Sequence, residues 1–313
     1  MSTPSIELPD EAVFAAPQLR PVVRLSPFLP EALEKNRGIV QGGHGLPIDW
    51  QVVQACQHPA MVLTRSGRAA IRLALNSIGL RPDDEVLIVT TGMSPYISRC
   101  VTEEIERVCK WSQSVSPRTS CMFVIHSFGF QASLPTEAVG LNVPIIEDCA
   151  YGFGSASCGA LGDFVVYSFS KTFPLPFGGA LFSRTDVGSD PDLSDVGREH
   201  LARTLPYYLA RQGEAFDRRR TVFRELASAF DEMSLAPYYE PKADEVPHAF
   251  VFRFPDEELA VRVRCHMDAA GIESSVYYGS GGYYVPCHQS MGSAHIDYIV
   301  RQFSDALTRE APS

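Results

Sequence analysis

The apolar positions of this chain fall into two rhythms. From Val53 to about Phe182, short continuous apolar runs alternate with stretches whose apolar residues return every three or four positions. Glu85-Val86-Leu87-Ile88-Val89, Cys121-Met122-Phe123-Val124-Ile125, Val143-Pro144-Ile145-Ile146-Glu147-Asp148, Asp163-Phe164-Val165-Val166-Tyr167-Ser168-Phe169 and Ala180-Leu181-Phe182-Ser183 read as buried strands. A polar, Gly-containing turn at Thr64-Arg65-Ser66-Gly67 opens an amphipathic helix through Leu75. This alternation predicts a doubly wound, mainly parallel sheet in a large α/β domain over residues 53–194.

The flanks read differently. Residues 1–52 carry Pro17, Pro21, Pro27, Pro30 and Gly42-Gly43 and predict an irregular arm of the kind that crosses a dimer interface. Residues 195–234 predict connecting helices broken near Pro206. Residues 235–313 predict a small α+β domain, with strands at His248–Phe254 and Ser274–Tyr278, a helix from Glu257 to Ala270 and a last helix from Ile296 to Leu307. The Tyr- and Gly-dense stretch from Val276 to Gln289 fits a mobile loop that closes over a ligand, or equally a plain surface loop.

Chemistry concentrates between the strands. Lys171 falls in a turn between two buried runs, where lost hydration disfavours its ammonium and lowers its pKa. A neutral amine there suits Schiff-base formation with pyridoxal 5'-phosphate; the alternative is a solvated turn lysine. Asp148 ends a strand where a parallel sheet opens into its ligand crevice, so its carboxylate is a candidate partner for the cofactor's ring nitrogen, or an ordinary helix cap or turn former. Ser66-Gly67 before a helix offers free N–H groups to a phosphate, and is also ordinary capping.

Charge and composition remove other classes. A formal charge of -10 over 313 residues argues against nucleic acid or an anionic membrane as partner. Arg203 and Arg218-Arg219-Arg220 read as solvated helix faces paired with Glu199, Glu214 and Asp217. The eight cysteines show no C-x-x-C pair and read as reduced, buried hydrophobes, and His126, His266 and His288 lack metal-ligand spacing, so no metal is expected. No apolar run is long enough to span a bilayer and the start carries no signal pattern, which makes the expected location cytoplasmic.

The ordered set Ser66-Gly67-Arg68-Ala69-Ala70-Ile71, Gly79-Leu80-Arg81-Pro82-Asp83-Asp84-Glu85-Val86-Leu87, Val124-Ile125-His126-Ser127-Phe128-Gly129, Ile146-Glu147-Asp148-Cys149-Ala150-Tyr151-Gly152, Gly159-Ala160-Leu161-Gly162-Asp163, Ser168-Phe169-Ser170-Lys171, Gly178-Gly179 and Gly271-Ile272-Glu273 resembles the fold-type I pyridoxal-phosphate enzymes. Within them it resembles the DegT/DnrJ/EryC1/StrS sugar aminotransferases, over most of the chain from about Val62 onward. The resemblance implies an aspartate aminotransferase-like fold, a homodimer, and transfer of an amino group from a donor such as glutamate to a keto compound or keto-sugar in biosynthesis. It implies that Lys171 forms the internal aldimine and moves protons, that Asp148 pairs with the ring nitrogen, and that Ser168 with the amides of Gly67 and Arg68, next to Ser66, holds the phosphate.

Departures from the group are also legible. Tyr151 stands where a glutamine lies beside the ring, and the aromatic cover expected near Met93 passes to Tyr96. The turn from Ser168 to Lys171 is shorter than usual in the group, Phe177 replaces the Glu before the glycine pair, and no cross-subunit asparagine follows Gly179. These leave open another reaction on the same cofactor, such as racemisation, decarboxylation or C–C bond chemistry, or a silent scaffold of the same fold. His126, Arg253, Tyr278 and His288 are candidate substrate contacts, Arg253 as a bidentate carboxylate clamp.

Overall fold

The computed structural model describes residues 23–42, 48–52 and 57–310. Apolar runs bounded by turns become seven strands of one sheet: β1 Ala60–Thr64, β2 Glu85–Thr90, β3 Lys110–Ser112, β4 Thr119–Ile125, β5 Ile145–Asp148, β6 Phe164–Ser168 and β7 Gly179–Ser183. A three-stranded sheet follows, with β8 Ala249–Arg253, β9 Ser275–Tyr277 and β10 Gly282–Pro286. The helices are α1 Pro30–Gly42, α2 Gly67–Ile78, α3 Arg99–Glu106, the single turn α4 Phe169–Thr172, α5 Asp195–Leu209, α6 Gln212–Asp231, α7 Glu257–Ala269 and α8 Ser293–Glu310.

The large sheet runs β1-β7-β6-β5-β4-β2-β3. Strands β2 to β6 pair in parallel, whereas β7 is antiparallel to both β6 and β1. Both faces are covered, which is why β2 and β6 are buried along their whole length. Successive residues serve opposite layers. Val86 and Ile88 join Ile71, Ala74 and Ile105 of the helices on one face, while Leu87 and Val89 pack with Met122 and Val124 on the other. The carboxyl ends of β2, β4, β5 and β6 therefore open on one edge of the sheet, where ligands bind in such folds.

Three expectations change. The predicted irregular arm contains α1, whose Asn36 is buried and donates to the Pro174 carbonyl at 2.8 Å. Helix α5 runs through Pro206 to Leu209 instead of breaking there, because Pro206 costs one donor while Leu201, Leu205, Tyr208 and Leu209 stay buried. The Val276–Gln289 stretch is no loop. It forms the β9–β10 hairpin, turned through Gly279 at φ 70° and Gly281 at φ 63° and buried along β10.

Beneath the site edge, Glu147 of β5 organises the next turn. Its fully buried carboxylate accepts from Gly159, Leu161 and Gly162 amides at 2.7 to 2.9 Å and from His126 Nε2 at 2.8 Å. Burial raises its pKa, but the His126 and backbone donors outweigh this and hold it below 4.5. The stability it contributes is thus present above the unfolded carboxylate pKa and lost as pH falls through the folded one. Glu147→Gln is expected to cost about 3 kcal/mol at pH 7 and to flatten the acid limb of stability below pH about 4.5. Urea titrations across pH check this, and an unchanged acid limb refutes it.

Candidate active site

Asp148 is the last residue of β5 and Ser168 the last of β6, so adjacent parallel strands deliver both to the sheet edge. One turn beyond Ser168, α4 places Lys171 in the same cavity as Asp148, of about 140 Å³. Tyr96, Ser98 and Cys100 after β2, Ser127 and Phe128 after β4, and Tyr151 after β5 line the same cavity. Tyr284 closes it from the small sheet, since alternation along β10 sends Tyr283 into the core against Phe252 and Phe303.

The electrostatics depart from expectation at one point. Burial pulls the Lys171 ammonium down, as predicted, but Tyr151, whose ring centroid lies 3.8 Å from Nζ, and Asp148 outweigh it and raise the pKa above 10.5. Asp148 is 6% exposed and accepts from the Ala150 amide at 2.9 Å. Burial raises its carboxyl despite the pull of Lys171 and that amide.

Next to this pair lies an amide-lined cradle. Ser66 caps α2 by accepting from the Ala69 amide at 3.2 Å, which leaves the N–H groups of Gly67 and Arg68 ahead of the first intrahelical bond. A Cβ on Gly67 would lie 3.1 Å from Ser168 Cβ, and one on Gly179 would lie 2.6 Å from the Tyr167 carbonyl oxygen and 2.9 Å from the Gly67 nitrogen. Only glycines let the helix start, Ser168 and the head of β7 come this close. The Arg68 side chain turns away, bonding Glu103 and, at 2.7 Å, Glu104, so only its amide faces the cradle. Fixed donors for a phosphate, an amine for an aldehyde and a buried carboxylate for a ring nitrogen fit pyridoxal phosphate.

None of the four candidate substrate contacts reaches the cavity. His126 is buried with Nδ1 accepting from the Ala132 amide at 3.0 Å and Nε2 bonded to Glu147, so neither nitrogen is available. Arg253 ends β8 exposed, its guanidinium over the Tyr238 ring at 5.1 Å. Tyr278 sits on the hairpin turn, 39% exposed, and its hydroxyl accepts from Arg264 at 3.1 Å. His288 is buried behind the site, its Nδ1 accepting from Ser290 at 3.3 Å. Met93 is 48% exposed at φ 55°, while Tyr96 is in the cavity wall with its hydroxyl 3.1 Å from that of Tyr284.

The lining residues that sequence reading missed include Ser98, Cys100, Ser127, Phe128 and Tyr284. Phe128 carried one local signal, the following Gly129 at φ 95°, where a Cβ would collide with the Val246 carbonyl. That kink holds Phe128 itself at φ 55° and its ring 5.3 Å from Tyr151 and 4.8 Å from Tyr284. The described cysteines are all free thiols; Cys265 is exposed and Cys100 half-buried, against the expectation of burial. Cys149 joins His126 and Glu147 in one buried group of possible metal donors, but the histidine and carboxylate are already engaged as described.

No protein-family model matches the chain. It is 25% identical to the UDP-N-acetyl-3-dehydro-alpha-D-glucosamine 3-aminotransferase of Acidithiobacillus ferrooxidans, over 83% of this chain and 80% of that one. The protein Spr1654 of Streptococcus pneumoniae, described as a sugar aminotransferase and solved in its PMP form, superposes with a TM-score of 0.67 at 16% identity, covering 91% of this chain and 99% of that one. A DegT DnrJ EryC1 StrS aminotransferase from Brucella abortus gives 0.59 at 17%, covering 88% and 90%. The fold is that of the aspartate aminotransferase-like, fold-type I class. The solved proteins it resembles in fold include a DegT DnrJ EryC1 StrS aminotransferase.

The cradle yields its own test. Gly179→Ala is expected to weaken pyridoxal phosphate binding about tenfold or more, or ~1.4 kcal/mol, by pushing β7 off Gly67. Equilibrium dialysis showing unchanged affinity would remove the cradle.

Proposed function

We propose that this protein is a pyridoxal-phosphate-dependent aminotransferase that moves an amino group from an amino-acid donor such as glutamate to a keto-sugar or related keto compound in biosynthesis. The observation that carries this reading is that Lys171 and Asp148 line one cavity, next to an amide cradle. The names of the relatives, sugar aminotransferases among them, support it. When bound, the cofactor supplies an aldehyde that takes up amino groups and a ring that withdraws electrons.

The residues then divide the work. Asp148, an acceptor in a dry site, holds the proton on the ring nitrogen. The amides of Gly67 and Arg68 with Ser168 hold the phosphate. Lys171 must shed its proton to act as nucleophile and afterwards as base at the substrate carbon, and its raised pKa makes that step pH-dependent. Tyr96, Tyr151, Tyr284 and Phe128 wall the site with rings and keep water out. Among the described residues no arginine lines the cavity. Its polar lining, apart from Lys171 and Asp148, is chiefly the hydroxyls of Tyr96, Ser98, Ser127, Tyr151 and Tyr284, groups that suit a neutral polyhydroxylated acceptor.

The same reading makes the protein a cytoplasmic homodimer. The free thiols of the described cysteines support that compartment, and the exposed apolar Leu33 and Val196 on α1 and α5 support a self-contact. Among the described residues no helix is long and apolar enough to cross a membrane.

Lys171→Ala is expected to abolish both turnover and the near-visible absorption band that wild type forms with pyridoxal phosphate; full activity in the variant sinks the mechanism. Asp148→Asn should bind the cofactor yet lose about 10²-fold or more in rate, and an equal rate removes it from that role. Because the free amine is the reactive form and its pKa is raised, the rate of band formation should climb about tenfold per pH unit above neutrality. Asp148→Asn takes away a charge that holds the ammonium and should move that climb to lower pH. Stopped-flow absorbance checks both directions.

A further inference from the structure

Behind Lys171 lies a cation that the proposed reaction does not use. Arg219 of α6 is fully buried, against the expectation that the Arg218-Arg219-Arg220 run forms a solvated face. Its neighbours in the run do face outward, Arg218 to Glu225 at 3.1 Å and Arg220 to Asp217 at 3.0 Å. Arg219 has no carboxylate among its bonded partners. Its guanidinium donates instead to three main-chain carbonyls, Lys171 at 2.9 Å, Thr172 at 3.1 Å and Cys287 at 3.1 Å, and its Nε is left without an acceptor.

Such a group is costly, since a buried charge without a counter-charge forfeits its hydration. Its surroundings are kept neutral around it. His248 accepts from Thr172 Oγ1 at 3.4 Å and donates from Nδ1 to the Val246 carbonyl at 2.9 Å, and burial together with Arg219 pushes it well below the usual histidine range. His288, also buried, is pushed down to about 3 by burial and the same guanidinium. Burial lowers Arg219 itself to about 10, so it stays charged at neutral pH.

The bonding pattern gives the reason for tolerating this cost. Helix α4 is a single turn, so the Lys171 and Thr172 carbonyls at its end lack intrahelical partners. The guanidinium reaches both at once through Nη2 and keeps Nη1 for Cys287, and Gln289 adds a second donor to Thr172 at 2.8 Å. The third bond, to Cys287, ties this turn to the segment that leaves β10, the strand that carries Tyr284 into the cavity.

We infer that Arg219 is the positioning residue for Lys171, fixing the backbone of the reactive turn against the small sheet and setting a permanent positive charge behind the amine. The inference rests on the reading of Lys171 as the cofactor lysine. Lys171 is faced by Asp148 at the end of β5, by Tyr151 in the turn after it and by Cys100 from α3. Tyr96 and Tyr284 complete the wall, and His248 meets the turn through Thr172. Of all these groups only Arg219 adds positive charge. Its charge works against the ammonium that Tyr151 and Asp148 favour, so the rise they produce in Lys171 is smaller than it would be without the guanidinium.

The test uses Arg219→Lys and Arg219→Met in the full chain, with folding checked by circular dichroism. One readout needs no cofactor: the pH midpoint for reductive methylation of Lys171 by formaldehyde and cyanoborohydride, read by mass spectrometry. Arg219→Met should move that midpoint up by about one unit and weaken pyridoxal phosphate binding about tenfold. Arg219→Lys keeps the charge but cannot span three carbonyls. It should keep the wild-type midpoint, weaken cofactor binding, and lower kcat with little change in KM.

A folded Arg219→Met protein with wild-type midpoint and affinity overturns the inference. Should Arg219→Met fail to fold, Arg219→Lys decides through cofactor affinity, and an unchanged value overturns it equally. If wild type forms no near-visible band with pyridoxal phosphate, it is the aminotransferase reading that falls. The methylation midpoints then still judge Arg219 alone.

Discussion

Two opposite charges, Asp148 and Lys171, share one poorly hydrated cavity, and the rest of the site is arranged around that constraint. Burial by itself drives both groups neutral, pushing the carboxyl up and the ammonium down. The carboxyl does move up, while Tyr151 and Asp148 reverse the direction for the ammonium. Such a pair is tolerable only when geometry is fixed by something stronger than the charges. The parallel ladder supplies it, since Asp148 is in register with Val166 and the reactive turn starts at Phe169, just past the end of the same strand.

A second layer of support comes from outside the large sheet. Tyr284 and Tyr277 project from the small sheet to meet Tyr96, at ring distances of 6.1 and 4.8 Å, and Phe128 fills the space between them in a left-handed conformation. Hydroxyls at the cavity wall pair with one another, Tyr96 with Tyr284, which is how ring-bearing polar groups can be buried without stranding their O–H donors. The same small-sheet strand leads into Cys287, whose carbonyl is held by Arg219. Roof and reactive turn are thereby parts of one bonded unit.

Several residues show where sequence reading succeeds and where it stops. Lys171, Asp148 and the Ser66-Gly67 helix start were legible because each depends on a few neighbouring positions: apolar runs that must be strands, a polar residue at a strand end, a glycine at a cap. The β9–β10 hairpin was not, because tyrosine and glycine have the same composition in a mobile loop as in a buried strand whose turn needs positive φ. His126, His288, Arg253 and Tyr278 were plausible ligands by residue type. Of their real partners, Glu147, Tyr238 and Arg264 lie well outside their own neighbourhood in the chain and only Ser290 is close, and no local pattern announces which face a side chain takes. Arg219 fails in the opposite sense, since three consecutive arginines on a helix read as solvent-facing, although a helix turns each of them to a different side.

By itself the sequence determined the class of this protein: a mainly parallel α/β sheet, with a lysine, an aspartate and a helix start delivered to its carboxyl edge. Periodicity and strand ends dictate these through contacts between near neighbours. Only the tertiary structure decided what encloses that edge, namely which tyrosines roof the cavity, which way the Lys171 pKa moves, and that one arginine is buried behind it. Those outcomes depend on burial and on charges contributed by residues far apart in the chain. Desolvation and pairing are properties of the assembled interior, and the order of residues alone does not contain their balance.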